Sequence, residues 1–143
     1  MRNRNLLLLA VLTIVALACS RSGTDVDPNG GPHVINYYDS IAPAVEIYTP
    51  AADQVFTSGS NISITGKITD ETGLYRGSVR VTNDANGELI REQLYEIHGF
   101  LSYNYTVNYI AQVAALSNYT ITVSFEDHGL NTTSRSVKVK VNP

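Results

Sequence analysis

The chain of 143 residues has one cysteine, one methionine, no tryptophan and three histidines. A lone cysteine rules out an internal disulfide pair, and without that pair or a tryptophan the hallmarks of an antibody-type domain are absent. The histidines, His33, His98 and His128, stand far apart and in no metal-ligand spacing such as H-E-x-x-H. Serines are plentiful, but no G-x-S-x-G, G-x-x-x-x-G-K or G-x-G-x-x-G occurs. Catalysis needs an activated nucleophile or a paired acid and base, and no motif supplies one. The expectation is therefore no catalytic residue and no enzyme. Basic residues are few as well: 10 Lys and Arg against 13 Asp and Glu, a formal net charge of −3. That excludes the basic stripe nucleic acid requires and a polybasic face for anionic lipid.

Long apolar runs are also missing. The longest, Leu6 to Ala18 ("LLLLAVLTIVALA"), falls well short of the roughly 20 residues that span a bilayer. It follows Arg2 and Arg4 and ends in small residues, the layout of a secretory signal peptide over 1–18. At the boundary stands "ALAC", Ala16 to Cys19. This resembles the lipobox of bacterial lipoproteins, though Ala16 is less typical there than Leu. The resemblance implies that Cys19 becomes the first mature residue and carries the acyl chains. Two or three chains hold a protein where one holds it weakly, each buried methylene contributing about 0.8 kcal/mol. The cysteine is thus expected to be neither a core residue nor a reactive thiol but the membrane attachment. Ser20 and Arg21 follow it rather than Asp, which by the same resemblance leans towards the outer membrane. Its periplasmic or surface face is not legible.

After Cys19 comes "SRSGTDVDPNGGP", full of Gly, Pro, Asp and Ser and without apolar periodicity. Residues 19–42 read as a disordered tether. Within it Tyr37 and Tyr38 are expected to dock as a first edge strand. "DSI" (Asp39 to Ile41) resembles a bacterial O-glycosylation sequence at Ser40, although a simple turn accounts for it better.

From Pro43 onward alternation is everywhere. "NISITGKIT" sets Ile62, Ile64 and Ile68 against Ser63, Thr65, Lys67 and Thr69. "GSVRVT" sets Val79 and Val81 against Arg80 and Thr82. "NDANG" reads as a hairpin turn into "ELIREQLYEI", whose mixed faces suit an edge strand. "LSYNYTVNY" and "YTITVSFE" alternate most regularly, and "SVKVKV" closes the chain with lysines outward, a guard for a terminal edge. "IAQVAALSN" is the one helical candidate, and one turn is expected of it. The fold class expected for 43–143 is all-β: an immunoglobulin-like antiparallel β-sandwich of about seven strands.

The residue pattern then resembles bacterial immunoglobulin-like and fibronectin-III-like domains of envelope lipoproteins. Leu116 and Tyr119 match a Leu three residues before a Tyr that opens the penultimate strand. The resemblance makes Tyr119 a corner whose hydroxyl bonds backbone across the turn. Pro50, Val55, Gly59, Ile62, Ile64, Gly66, Asp70, Gly73 and Leu74 match the pattern of the earlier strands. The implied role is a binding or structural module with a protein or glycan partner; the fold hosts many functions.

One constellation of chemistry remains. "TDETGL" and "EDHGL" follow two strands whose ends meet in this fold. Asp70, Glu71, Glu126 and Asp127 could converge there, and hard oxygen ligands suit Ca²⁺, as in cadherin-like adhesion modules. The plainer reading is favoured: each Asp bonds its own turn while Gly73 and Gly129 supply positive φ. Nine tyrosines raise a glycan platform, with Tyr75 and Tyr95 expected at the surface and Tyr37, Tyr38 and Tyr48 as further candidates. Missing tryptophan counts against it. Tyr103, Tyr105 and Tyr109 share a face with Leu101 and Val107 and read as core.

Overall fold

A computed structural model describes residues 34–143. The expected signal peptide over 1–18, Cys19 and His33 lie outside the described residues. Eight strands follow in order: β1 Ala44–Thr49, β2 Gln54–Thr57, β3 Asn61–Thr69, β4 Leu74–Asn83, β5 Leu89–Glu96, β6 Ser102–Ile110, β7 Ser117–Asp127 and β8 Thr132–Asn142. They form a three-stranded sheet, β1-β3-β6, facing a five-stranded sheet, β2-β8-β7-β4-β5. This is the expected immunoglobulin-like sandwich.

Period-two alternation of β-branched residues builds both layers. Ile62, Ile64 and Ile68 of β3 are fully buried, as are Val79 and Val81 of β4 and Ile121 and Val123 of β7. Burying each such side chain contributes about 1.5–3 kcal/mol. β5 is an edge strand, as its mixed faces imply.

Three details differ from the sequence expectation. The segment 111–116 contains no helical turn: the Gly59 amide donates to the Ala111 carbonyl, and Ser58 Oγ both donates to the Val113 carbonyl and accepts from its amide. Those bonds to the β2–β3 loop hold the segment in an irregular path that bends at 114–115. The sequence expectation omits β2, whose four residues have no clear alternation, and it pairs in parallel with β8. The C-terminal strand is therefore interior rather than an edge, and Lys138 and Lys140 instead face Asp84 (3.3 Å) and Asp53 (4.0 Å). Third, Tyr37 and Tyr38 form no strand; they sit in a turn, 81% and 100% exposed.

Two glycines make room for the central rings. A Cβ on Gly66 would lie 2.2 Å from the Tyr105 hydroxyl oxygen, and one on Gly77 would lie 2.2 Å from the Phe125 ring. Tyr105 and Phe125 stack across the interior, with centroids 6.2 Å apart. The Tyr105 hydroxyl donates to the Glu46 carbonyl at 2.8 Å. This ring bridge ties β1, β3 and β6 to β7.

Candidate functional site

The end of the sandwich that gathers the β3–β4, β5–β6 and β7–β8 loops concentrates the polar chemistry. Register brings the first and last of these together: Leu74 stands opposite Asp127, and the His128 amide donates to the Gly73 carbonyl at 3.0 Å. Residues 34–42 are laid over this end. The Asn36 amide donates to the His128 carbonyl (2.8 Å), and Asn131 Nδ2 donates to the Asp39 carbonyl (3.2 Å).

Asp39, Asp70 and Asp127 meet here, each with a ligand-capable oxygen within 4.8 Å of the others. Asp127 is fully buried and accepts bonds from the Asn131 amide (2.9 Å) and Asn131 Nδ2 (3.0 Å). Asp70 caps its own turn, accepting from the Thr72 and Gly73 amides at 2.9 and 2.6 Å. Asp39 accepts from the Ile41 amide at 3.0 Å. The Thr72 hydroxyl donates to Asp39 in a short bond and also contacts Asp70. That hydroxyl bond, reinforced by the Ile41 amide, holds the Asp39 carboxyl below the ordinary Asp range.

Of the expected acidic residues, Asp70 and Asp127 are brought together and two others are not. Glu71 is exposed and outside the cluster. Glu126 turns to the opposite face of β7, where it pairs with Arg76 at 3.2 Å. The third carboxylate is Asp39, from the stretch read as tether. Only the packing of residues 34–42 against the β7–β8 turn reveals it; sequence spacing carries no such signal.

The structural residues also sort differently. Gly73 has the expected positive φ, +130°. At the other turn the positive φ belongs to Leu130 (+65°), not Gly129. Gly129 is needed for close approach instead: a Cβ there would lie 2.6 Å from Asn131 Nδ2 and 2.8 Å from the Asp39 Cβ. Tyr119 is buried and packs edge-on against Tyr109. The hydroxyl that reaches backbone is that of Tyr105. Leu116 is 60% exposed and anchors no corner.

The tyrosine platform breaks up. Tyr75 is buried, with His98 and His128 against it at ring-centroid distances of 4.8 and 5.3 Å. The two histidines are themselves 5.6 Å apart, a meeting that thirty residues of separation conceal in the sequence. Tyr95 is half-buried between Tyr103 and Phe125. Tyr37, Tyr38 and Tyr48 remain exposed.

A loop-decorated, two-sheet β-sandwich of this kind is an immunoglobulin-like module. A profile for the bacterial Ig domain matches residues 43–139, more than half of the chain, and the chain belongs to that family. No curated protein sequence matches it. Among solved structures it is similar to the sporulation control protein Spo0M from Bacillus subtilis, with TM-score 0.46, 6% identity, and coverage of 71% of this chain and 49% of that one. It is similar to fibronectin(III)-like modules of CbhA from Clostridium thermocellum, with TM-score 0.41, 23% identity, and 71% and 46% coverage. A Niemann-Pick type C2 protein from the Japanese carpenter ant gives TM-score 0.47, 11% identity, and 76% and 99% coverage. The chain spans about half the length of the first two.

Proposed function

We propose that the protein is a lipid-anchored envelope protein whose Ig-like domain is a non-catalytic binding or structural module. The observation that carries this reading is the apolar run that closes on "ALAC", with Cys19 the sole cysteine. Membership of a bacterial Ig family supports it. In this reading Cys19 holds the acyl chains in the membrane, the outer membrane by the residues that follow it, and residues 20–33 link the lipid to the domain. The tether enters the domain at Val34, whose carbonyl lies 3.2 Å from His128 Nδ1. It thus arrives at the loop end, and the opposite end and the sheet faces are left for a protein or glycan partner. Growth with a radiolabelled fatty acid tests the anchor. The native chain should take up label and partition with membranes, and Cys19→Ala should take up none. Label on Cys19→Ala, or an unlabelled native chain, overturns it.

One observation favours a second reading, a calcium-stabilised adhesion module: the convergence of Asp39, Asp70 and Asp127. Like charges this close repel, and a hard divalent cation with oxygen ligands would relieve that. Millimolar Ca²⁺ should then raise the melting temperature and chelator should reverse the rise. An unchanged melting temperature leaves the carboxylates as turn caps alone.

A further inference from the structure

The sandwich has four strand edges, and three of them are protected. β1 has six residues, a register shift between Ile47 and Thr49, and Glu46 at its middle. β2 has only four residues. β5 carries Arg91, Glu92 and Glu96. Short length, irregular register and charge are the ordinary means of stopping an edge from pairing. β6 has none of them. It runs nine residues, "SYNYTVNYI", without a charged side chain, and pairs with β3 through all nine positions without a shift.

The pattern of bonds fixes which of its backbone groups face outward. The Asp70 amide donates to the Leu101 carbonyl and the Gly59 amide to the Ala111 carbonyl. In an antiparallel ladder the N–H and C=O of one residue point the same way, and direction alternates along the strand. Odd-numbered residues from 101 to 111 therefore face β3. Ser102, Asn104, Thr106, Asn108 and Ile110 direct their N–H and C=O groups away from it, and among the described residues no other strand meets them.

The same strand is nearly a palindrome about Thr106. Asn104 mirrors Asn108, and Tyr103 mirrors Tyr109. We propose that β6 is a homodimerisation edge: a second copy of this chain pairs its own β6 antiparallel, with the two-fold axis at Thr106. All outward residues then meet outward residues. Asn104 faces Asn108 of the partner subunit, Thr106 faces Thr106 of the partner subunit, and Ser102 faces Ile110 of the partner subunit. Each is a hydrogen-bonded pair, so no outward N–H lacks an acceptor. Asn side chains are donor and acceptor at once and match each other across the seam. On the inner face Tyr103 and Tyr109, each half-buried in the single copy, come opposite one another and cover their remaining apolar surface. The two small sheets become one of six strands. A partner strand of unrelated sequence would meet the backbone but lose these matched side chains, so a second copy is the occupant the strand itself specifies.

Cross-linking and sedimentation of the full chain in detergent, with Cys19→Ser as background, test this. In that background Thr106→Cys places two thiols at the axis, about 5.5 Å apart between Cα atoms, within disulfide reach. Ser102→Cys leaves its thiols about 27 Å apart along the strands. Oxidation should give a covalent dimer with Thr106→Cys and none with Ser102→Cys. Sedimentation velocity from low micromolar to near-millimolar concentration should show a monomer–dimer shift in the parent. Thr106→Lys, at an exposed position, should abolish the shift by setting like charges opposite one another. A parent that stays monomeric, equal cross-linking at both positions, or a dimer that survives Thr106→Lys overturns the proposal. Should Thr106→Lys unfold, the paired cysteine variants decide alone.

Discussion

Gly66→Ala is the most informative single change in the core. The residue lies mid-strand in β3, opposite Ile47 on one side and Tyr105 on the other. An added Cβ would sit 2.0 Å from the Glu46 carbonyl oxygen and 2.2 Å from the Tyr105 hydroxyl oxygen. Neither can move freely. The carbonyl belongs to β1, and the hydroxyl is bonded to that carbonyl on a ring that is 1% exposed. Overpacking of a core costs about 1–3 kcal/mol. Displacing the hydroxyl loses a hydrogen bond of about 1 kcal/mol. The sum, about 2–4 kcal/mol, lowers the melting temperature by about 8–16 °C at about 4 °C per kcal/mol for a domain of this size. Tyr105→Phe removes the hydroxyl alone and should cost about 0.5–1.5 kcal/mol, the net worth of its bond to the Glu46 carbonyl. In the double variant the methyl no longer meets the hydroxyl, so the two losses should sum to less than additivity. Thermal unfolding followed by circular dichroism measures all three. A fall of less than about 2 °C for Gly66→Ala, or strict additivity, would refute the reasoning.

Two further outcomes are expected. Stability should fall from both ends of the pH scale. Burial raises the Tyr105 hydroxyl well above the ordinary tyrosine value and, less strongly, those of Tyr95 and Tyr109. Raised folded values give stability that is full below the unfolded tyrosine value of about 10 and is lost as pH climbs beyond it. Asp84, lowered by its bond from the Thr120 hydroxyl and then by Lys138, works in the opposite sense. Its contribution is present above about pH 4 and lost below, so Asp84→Asn should flatten the acid limb of a melting-temperature profile while leaving the alkaline limb unchanged. Gly129→Ala should loosen residues 34–42 from the loop end, since the new methyl would press on Asp39 and Asn131. Limited proteolysis should then cut within 34–42 faster than in the parent, at a stability cost of about 1–3 kcal/mol; an unchanged cleavage rate would count against that contact.

Much of the sandwich was legible from alternation because half-buried strands write their inner face as every second residue. Ile62, Ile64 and Ile68 or Ile121 and Val123 leave little choice of face. β2 escaped because a four-residue strand is too short for a period, and its pairing partner lies at the far end of the chain. The helical candidate at 110–118 failed because apolar content without a helical stripe is equally compatible with a loop pinned by Ser58. At the candidate site, Asp70 and Asp127 could be placed from the turns that hold them. Asp39 could not, since its polar surroundings in sequence look like linker and only its contacts with Thr72 and Asn131 draw it in.

The amino-acid sequence by itself determined the layered β class, the faces of the long strands and the small-residue boundary at Cys19, because each depends on local periodicity or local composition. Tertiary structure alone decided which residues meet across the loops: Asp39 with Asp70 and Asp127, His98 with His128, Tyr105 with Gly66 and Glu46. It also decided that β8 is interior and that β6 is left as the long uncharged edge. Those outcomes depend on chain crossings between residues distant in sequence, and no local pattern encodes a crossing.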